Sequence, residues 1–410
     1  MNALPYVSTL TQLCNLPTAP YAEQHVIAHL LAWAAVRSPH IRVARDPAGN
    51  VYLHYLRGRT TPPLVIEAHM DHPGFMARET LPDGRLVAQF LGGVKPSHFG
   101  GATAAFWLND PPAIGSIKHI PAKGRWVPLK VLEATAVDAP VETPPKNYIQ
   151  AIFEPPPIPI PRGSIGMWNL PDAAILPDGV TFAARVCDDI AGVAAILCLL
   201  DELIAQNMEA HVIGLCTRAE EVGFAGVIAV AQNGWIPKDS RVIGLETSKG
   251  SAFAPQGAGP IIRVGDRQGT FSPGLTHFIC QSAGMLSDAD STFKWQRKLM
   301  DGGTCNSTAF VAFGYDAAGM CVALGNYHNM SIEGDTGHGQ GPKAGPGIAS
   351  ETIHLDDFSG MVKILIETAR RLPNYQPGFR MMRDRLAKLH ADEQRELLYG
   401  TSDQQAASGL

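Results

Sequence analysis

Histidine and carboxylate residues recur in this sequence directly after short, mainly apolar runs. The segment "VIEAHMDHPGF" (residues 65–75) places His69 and Asp71 at the end of one such run, before the turn signal Pro73-Gly74. Side chains two residues apart lie on the same face of a β-strand, so His69 and Asp71 share a side. The pair is either a hydrogen-bonded polar strand end or half of a metal site.

Four further segments combine a buried strand with a carboxylate or histidine at its end. They hold Asp188 and Asp189 in "FAARVCDD", Glu220 and Glu221 in "GLCTRAEE", Glu246 in "VIGLE", and His328 in "VALGNYH". Ligands of open α/β sheets bind outside the strand ends, where the loops converge. The five strand ends therefore predict one shared site rich in ligands for hard cations.

The ligand types indicate which ions would suit such a site. Two histidines and three carboxylates, without thiolates, fit one or two divalent ions such as zinc, cobalt or manganese. Charge balance favours two ions. One member of the Glu220-Glu221 doublet can bind metal while its neighbour takes a proton from a water whose pKa the metal has lowered, which is metal-assisted hydrolysis. Alone, the doublet could equally be a solvated helix start.

Other residues compete for some of these roles. His338 and His354 follow His328, which is preferred because it directly follows a buried strand. Cys187 is interpreted as core rather than as a nucleophile, and Cys305 as either core or pocket lining. The Gly-rich loop at 331–350 is interpreted as a flexible connector, with a lid as the alternative.

The elements that must position these residues predict an α/β fold. Strands that alternate with helices indicate a doubly wound, mostly parallel sheet flanked by helices. Residues 75–181 differ, because short alternating strands are separated by Gly and Pro turns, which predicts an inserted small β-barrel. The predicted catalytic domain comprises 1–74 and 182–375, the barrel would serve oligomerisation or substrate access, and residues 376–410 form a C-terminal helix (Met381–Tyr399) and a polar tail.

Composition excludes several classes of protein. The 410 residues are 45% hydrophobic and 17% charged, with a net charge of −5, so neither a nucleic-acid partner nor a membrane partner is expected. The N-terminus lacks a basic segment before an apolar run and is expected to be a helix rather than a signal peptide. Seven cysteines without CxxC pairs suit a reducing cytoplasm, the predicted location.

Six segments together resemble a known family. "EAHMDHPGFM", "CDDIAGVAAIL", "RAEEVGFAGV", "VIGLE", "GGT" and "NYHN" occur in the order and at the spacing of the dinuclear metallo-aminopeptidases of the glutamyl aminopeptidase and tetrahedral aminopeptidase family. The resemblance covers most of residues 5–370. It implies the zinc-peptidase-like hydrolase fold with an inserted barrel, two divalent ions per subunit (zinc ahead of cobalt or manganese), a peptide substrate, and homo-oligomers from dimer to dodecamer.

The resemblance also implies a role for each candidate residue. His69, Asp188 and Glu246 would bind one metal ion, and Asp188, Glu221 and His328 the other, with Asp188 bridging. Glu220 would be the general base, Asp71 would orient His69, and Asp189 would shape the turn after the bridging ligand.

The sequence departs from the family at several positions. Glu246 stands where the family usually has Asp. The usual "GGTDA" is "GGTCNS" here, with Cys305 at the acid position, so either Asn306 substitutes or that role is lost. His72 stands where an acid is common and has no assigned role.

Three functions follow as hypotheses. The first is an aminopeptidase that removes N-terminal residues from peptides with a dinuclear-metal-activated water and Glu220 as base. The second, motivated by "GGTCNS" and the enlarged loop, is a metal-dependent amidohydrolase or deacylase of a non-peptide amide or acyl-amino acid. The third is a catalytically silent scaffold.

Overall fold

A computed structural model describes residues 6–58, 62–109, 124–138, 147–331, 346–376, 380–395 and 398. Within these residues the main element is an eight-stranded sheet with the order β1-β2-β12-β3-β13-β16-β14-β15. Its strands are β1 (Ile41–Arg45), β2 (Val51–Arg57), β3 (Leu64–His69), β12 (Ala210–Thr217), β13 (Arg241–Lys249), β14 (Ile261–Asp266), β15 (Gln296–Met300) and β16 (Asp316–Leu324). The four central strands, β12, β3, β13 and β16, run parallel to one another.

Helices cover both faces of this sheet. They are α1 (Val7–Cys14), α2 (Gln24–Ala35), α3 (Ile190–Ala205), α4 (Ala225–Asn233), α5 (Pro273–Ala289), α6 (Asn306–Ala312) and α7 (Leu355–Arg371). A further helix, α8 (Arg380–Leu389), follows towards the C-terminus. Ile66 of β3 packs in the cluster that contains α3 and α7, whereas its neighbour Val65 packs in the cluster that contains α4 and α6. Adjacent residues of one strand thus face two helical layers, which explains why β3 is buried along its whole length. The predicted doubly wound sheet is confirmed.

A closed six-stranded barrel lies between β3 and α3 in the sequence, with the order β4-β5-β8-β7-β6-β9. Its strands are β4 (Gly74–Thr80), β5 (Leu86–Leu91), β6 (Thr103–Asn109), β7 (Gly124–Asp138), β8 (Asn147–Phe153) and β9 (Ile165–Trp168). Phe75, the second residue of β4, contacts Phe90, Phe153 and Trp168 edge-on in a core separate from that of the main sheet. The inserted barrel predicted from the sequence is confirmed.

Smaller elements join the two units. Strands β10 (Ala174–Ile175), β11 (Thr181–Ala184) and β19 (Glu351–His354) form a three-stranded sheet, and β17 (Met330–Ser331) pairs with β18 (Gly347–Ile348). Short 3-10 turns cover Pro96–His98, Tyr327–Asn329 and Leu372–Asn374. The predicted helix Met381–Tyr399 begins one residue earlier, as α8, and continues as a π-helical segment, His390–Gln394.

The described helices include none that is both long and apolar enough to cross a membrane. Residues 332–345, the greater part of the predicted connector or lid, lie outside the described residues.

Candidate metal centre

The carboxyl-terminal edge of the parallel strands carries four of the predicted segments, including His328, which follows β16. His69 is the last residue of β3 and pairs with Thr217, the last residue of β12, so Glu220 and Glu221 follow at the same edge. Glu246 does not follow its strand as expected, because β13 runs on to Lys249. It reaches the site from within β13 because the pairing of β3 with β13 ends at Gly244.

Asp188 arrives by a different route from the one expected. The strand before it, β11, belongs to the small three-stranded sheet and not to the main sheet. Asp188 lies in the turn between β11 and α3, and the Asp189 carboxylate caps α3 by accepting a hydrogen bond from the amide of Gly192 at 3.2 Å. The role predicted for Asp189, shaping this turn, agrees with that contact.

The candidate ligands form two triads that share Asp188. One ligand atom from each of His69, Asp188 and Glu246 lies within 4.8 Å of the other two, and the same holds for Asp188, Glu221 and His328. His69 Nε2 lies 3.5 Å from Asp188 Oδ1 and 3.9 Å from Glu246 Oε1. His328 Nε2 lies 3.6 Å from Asp188 Oδ2 and 3.2 Å from Glu221 Oε2. The two Asp188 oxygens therefore face different histidines, as a bridging ligand requires.

Backbone carbonyl groups fix the orientation of both histidine rings. His69 Nδ1 is 3.0 Å from the Asp71 carbonyl oxygen, and His328 Nδ1 is 3.1 Å from the Gly93 carbonyl oxygen. A carbonyl oxygen only accepts, so each Nδ1 carries a proton that it donates. Each Nε2, which faces the carboxylates, is thereby left as the nitrogen that could bind a metal ion in the neutral ring.

The buried carboxylates of the cluster outnumber the positive groups beside them, which are the two histidines and Arg263. Asp188 Oδ1 and Glu221 Oε1 are buried oxygens without a hydrogen-bond partner among the described residues. Burial, and then Asp188, raise the pKa of Glu246 to about 7. Burial would lower the pKa of His69 and of His328, but the neighbouring carboxylates outweigh it and raise both. Oxygen and imidazole donors around an uncompensated negative charge fit divalent ions, so these clusters could hold metal.

Glu220 lies beside the cluster. Its Oε2 is 3.9 Å from His69 Nε2, and burial, only partly offset by His69, raises its pKa well above the ordinary value. It also forms an alternative triad with His69 and Glu221. The carboxylate thus borders the space between the two triads.

Asp71 does more than the predicted orientation of His69. Its carboxylate accepts hydrogen bonds from the amides of Glu220 at 2.9 Å and Glu221 at 3.1 Å. His69 contacts the main-chain oxygen of Asp71 more closely than the carboxylate, whose Oδ1 is 3.6 Å from Nδ1. Asp71 therefore joins the end of β3 to the glutamate doublet that follows β12.

Several buried polar residues around the site were not predicted. Glu351 accepts hydrogen bonds from amides next to the site, and Glu67 accepts them from Thr217 Oγ1 at 2.6 Å and Asn306 Nδ2 at 2.7 Å. Arg263 Nη1 lies 4.0 Å from Glu246 Oε2, opposite the oxygen that faces His69. Glu67 lies in the segment "VIEAHMDHPGF", but its pairing with Asn306 spans 239 residues and has no local signal in the sequence.

The competing candidates lie elsewhere. His354 caps α7, where its Nδ1 accepts a hydrogen bond from the amide of Asp356 at 3.2 Å, and His338 is outside the described residues. Cys187 and Cys305 are both buried. Asn306 binds Glu67 and, like Cys305, is not among the residues that line the cleft, so it does not replace the missing acid there.

A cleft with an empty volume of about 600 Å³ opens over the two triads. Besides the candidate ligands and Glu220, its walls are formed by Thr247, Ser248, Lys249, Arg263, Met300, Gly302, Gly303, Thr304 and Tyr327. The "GGT" segment thus contributes one wall, and the continuation of β13 beyond Glu246 contributes another.

Known proteins share the sequence pattern and the fold. A family model described as M42 glutamyl aminopeptidase matches residues 154–332. A search of curated proteins found no match to this sequence.

Three solved structures are similar in fold. A TET aminopeptidase from a marine-sediment Thaumarchaeota archaeon is 16% identical with a TM-score of 0.67, over 90% of this chain and 97% of its own. An aminopeptidase from Desulfurococcus kamchatkensis is 18% identical with a TM-score of 0.67, over 89% and 94%. The TET1 peptidase of Pyrococcus horikoshii, described as able to assemble into a tetrahedron or a large octahedral shell, is 16% identical with a TM-score of 0.64, over 89% and 99%.

The motifs, the family match and the fold lead to one assignment. The resemblance stated from the sequence is confirmed: residues 154–332 match the M42 glutamyl aminopeptidase model, and the chain shares the fold of the TET aminopeptidases, as expected for a peptidase.

Proposed function

We propose that the protein is a metal-dependent aminopeptidase that holds two divalent ions, zinc ahead of cobalt or manganese, and hydrolyses N-terminal residues of peptides. The observation that carries the proposal is the pair of triads that share Asp188, with its two oxygens turned towards different histidines. His69, Asp188 and Glu246 would hold one ion, and Asp188, Glu221 and His328 the other. When bound, the ions supply a Lewis acid for the scissile carbonyl and a water of lowered pKa.

Glu220 is the proposed proton carrier. Its carboxylate lies beside the two triads, 3.9 Å from His69 Nε2. In this proposal Glu221 binds a metal ion together with His328, so Glu220 remains free to accept a proton. It takes the proton of the attacking water and returns it to the leaving amine. Asp71 holds the doublet through the two glutamate amides, so we propose it as the residue that positions Glu220.

The domain division predicted from the sequence belongs to this proposal. Residues 1–74 and 182–375 provide the catalytic unit, and 75–181 the inserted unit. The barrel side also reaches the site, because the Gly93 carbonyl oxygen that orients His328 follows β5. The assemblies described for TET1 support a homo-oligomer, which light scattering tests against the 43.9 kDa of one chain.

The function is tested with purified protein that has been chelated and then reconstituted separately with Zn²⁺, Co²⁺ or Mn²⁺. We expect two equivalents of metal by elemental analysis and hydrolysis of aminoacyl-anilides. The same anilides with an acylated α-amine serve as the comparison, because an aminopeptidase requires the free amine.

The "GGTCNS" segment favours a second candidate, an amidohydrolase of acyl-amino acids. Turnover of the acylated series alone would replace the first proposal by the second.

A further inference from the structure

Glu351 is a buried carboxylate that contacts two separate segments of the candidate metal centre. Its Oε2 accepts hydrogen bonds from the amides of Cys187 at 2.7 Å and Asp188 at 3.0 Å, and its Oε1 accepts one from the amide of His328 at 2.9 Å. Its exposed fraction is 0%. Three amide contacts to one buried carboxylate are charge-assisted hydrogen bonds, which are stronger than those between neutral groups.

The turn that carries His328 requires such support. Asn326, His328 and Asn329 all have positive φ, at 52°, 54° and 62°. Residues other than glycine reach this region at an energetic cost and remain there only when their surroundings hold them. Two hydrogen bonds hold this turn. The His328 amide donates to Glu351, and the Asn326 side chain donates to the Ser350 carbonyl oxygen at 2.8 Å.

His72 and Asn329 hold the opposite side of the Asp188 backbone. His72 Nδ1 lies 2.8 Å from the Asp188 carbonyl oxygen, and its Nε2 lies 3.0 Å from Asn329 Oδ1. The Asn329 amide cannot be reversed, because its Nδ2 donates to the carbonyl oxygens of Arg185 and Ala349. His72 therefore bridges the Asp188 carbonyl oxygen and the Asn329 side chain. The amide of Asp188 is thus held by Glu351 and its carbonyl by His72, the residue that the sequence left without a role.

We infer that Glu351 is a positioning residue for metal binding: it fixes the backbones of Asp188 and His328, and so sets the Asp188–Glu221–His328 triad more than the triad of His69, Asp188 and Glu246. Two of the three amides that donate to Glu351 belong to Asp188 and His328, which are both in the Asp188–Glu221–His328 triad. Only Asp188 also belongs to the other triad. The inference rests on the proposed function, since it assumes that both triads bind metal.

The test compares Glu351→Gln with the wild-type protein after chelation. The glutamine amide turns one acceptor oxygen into a donor that faces a backbone N–H, so at least one of the three contacts is lost. We expect zinc affinity at the Asp188–Glu221–His328 triad to fall by about 10- to 100-fold, as is usual when a residue that orients a ligand is changed. The other triad should lose less. Competition with a chromogenic chelator gives the two affinities, and anomalous scattering from crystals grown with limiting zinc shows which triad is occupied.

Asp357→Asn is the matched control. Asp357 is also buried and also accepts hydrogen bonds from two amides, those of Gly257 and Gly259, both at 2.8 Å. None of these residues is a candidate ligand, so this variant should lose stability without losing zinc affinity. Equal zinc affinities in Glu351→Gln and the wild type, or equal losses at both triads, would overturn the inference.

A measurement on the wild type needs no variant. Hydrogen exchange on the chelated protein should show slow exchange of peptides that contain the Asp188 and His328 amides, because Glu351 holds them before metal binds. Fast exchange in both peptides would contradict the inference. If the wild type bound none of Zn²⁺, Co²⁺ and Mn²⁺, both this inference and the proposed function would fail. If it bound two of these ions without cleaving anilides, only the function would fail.

Discussion

At the scale of single residues, Glu220 is the side chain on which the proposed chemistry depends. We expect Glu220→Gln to retain metal and to lose turnover by about 10²- to 10⁴-fold, because the amide cannot accept the proton of the attacking water. Metal content by elemental analysis and kcat on an aminoacyl-anilide give the two readouts. The control is Glu79→Gln, an exposed glutamate in β4. Retained turnover in the Glu220 variant would remove Glu220 as the base.

Glu67 gives a pH-dependent prediction for the chelated protein. Burial raises its pKa from 4.5 to about 7, so the folded protein binds the proton more tightly than the unfolded chain. The stability that depends on Glu67 is therefore greatest below about pH 4.5 and is lost as the pH rises to about 7. Glu67→Gln imitates the protonated acid and keeps the oxygen that Thr217 and Asn306 contact.

The Glu67 variant and the wild type should have similar free energies of unfolding at pH 4.5. Above pH 7 the variant should be more stable by up to about 3 kcal/mol, since one pKa unit corresponds to about 1.4 kcal/mol. Urea unfolding from pH 4.5 to pH 8 measures the difference, with the exposed Glu133→Gln as control. A difference that does not change with pH would show that Glu67 remains ionised in the folded protein.

The residues that the sequence predicted differ from those that it missed in one respect. His69, Asp188, Glu220, Glu221 and His328 each follow an apolar run, and this local pattern marks them. Glu351, in contrast, lies inside a short strand and meets Asp188 across 163 residues of sequence. His72 was noticed as a departure, but its contact with Asn329 spans 257 residues. Such pairings depend on the folded topology, so no local pattern could have identified them.

At the scale of elements, the start of α3 is where the bridging segment meets a helix. A Cβ on Gly192 would lie 2.4 Å from Asp189 Oδ2, and Asp189 is held because it caps the same helix. We expect Gly192→Ala to destabilise the protein by about 1–3 kcal/mol through overpacking. Urea unfolding measures the change. The same substitution at Gly284 in α5, where a Cβ meets nothing within 4 Å, should be neutral or stabilising by up to about 1 kcal/mol. Equal effects at both glycines would refute this explanation.

The elements that the sequence predicted well are those marked by a strong local pattern of hydrophobic residues. The apolar strands β3 and β13 were identified, because mainly apolar runs precede His69 and Glu246. The edge pair β14 and β15 was not, and these strands lie where the sheet is no longer uniformly parallel. The placement of β11 in a separate sheet was missed for another reason: its partner β19 lies about 170 residues later in the chain.

At the scale of the whole molecule, the buried cores end before the C-terminal helix. None of the described side chains of α8 belongs to a buried cluster, and Met382, Leu386 and Leu389 are partly exposed along one face. Tyr375, in contrast, packs edge-on against Phe278 and donates its hydroxyl to Asp316. The residues that contribute to the free energy of unfolding should therefore end just after Tyr375.

Two truncations test this boundary. A chain that stops after residue 376 should keep its free energy of unfolding within about 0.5 kcal/mol and keep its metal content, because the described residues of the removed segment lie outside the buried cores. A chain that stops after residue 374 also loses the Tyr375 ring and hydroxyl, and we expect a loss of about 1–3 kcal/mol. Urea unfolding of each chelated protein, with molar mass by light scattering, separates the two. The truncation after residue 376 could instead lose much of its free energy of unfolding and also show a lower molar mass. That result would mean that the apolar face of α8 is buried in an assembly and that the stable unit extends beyond the cores of one chain.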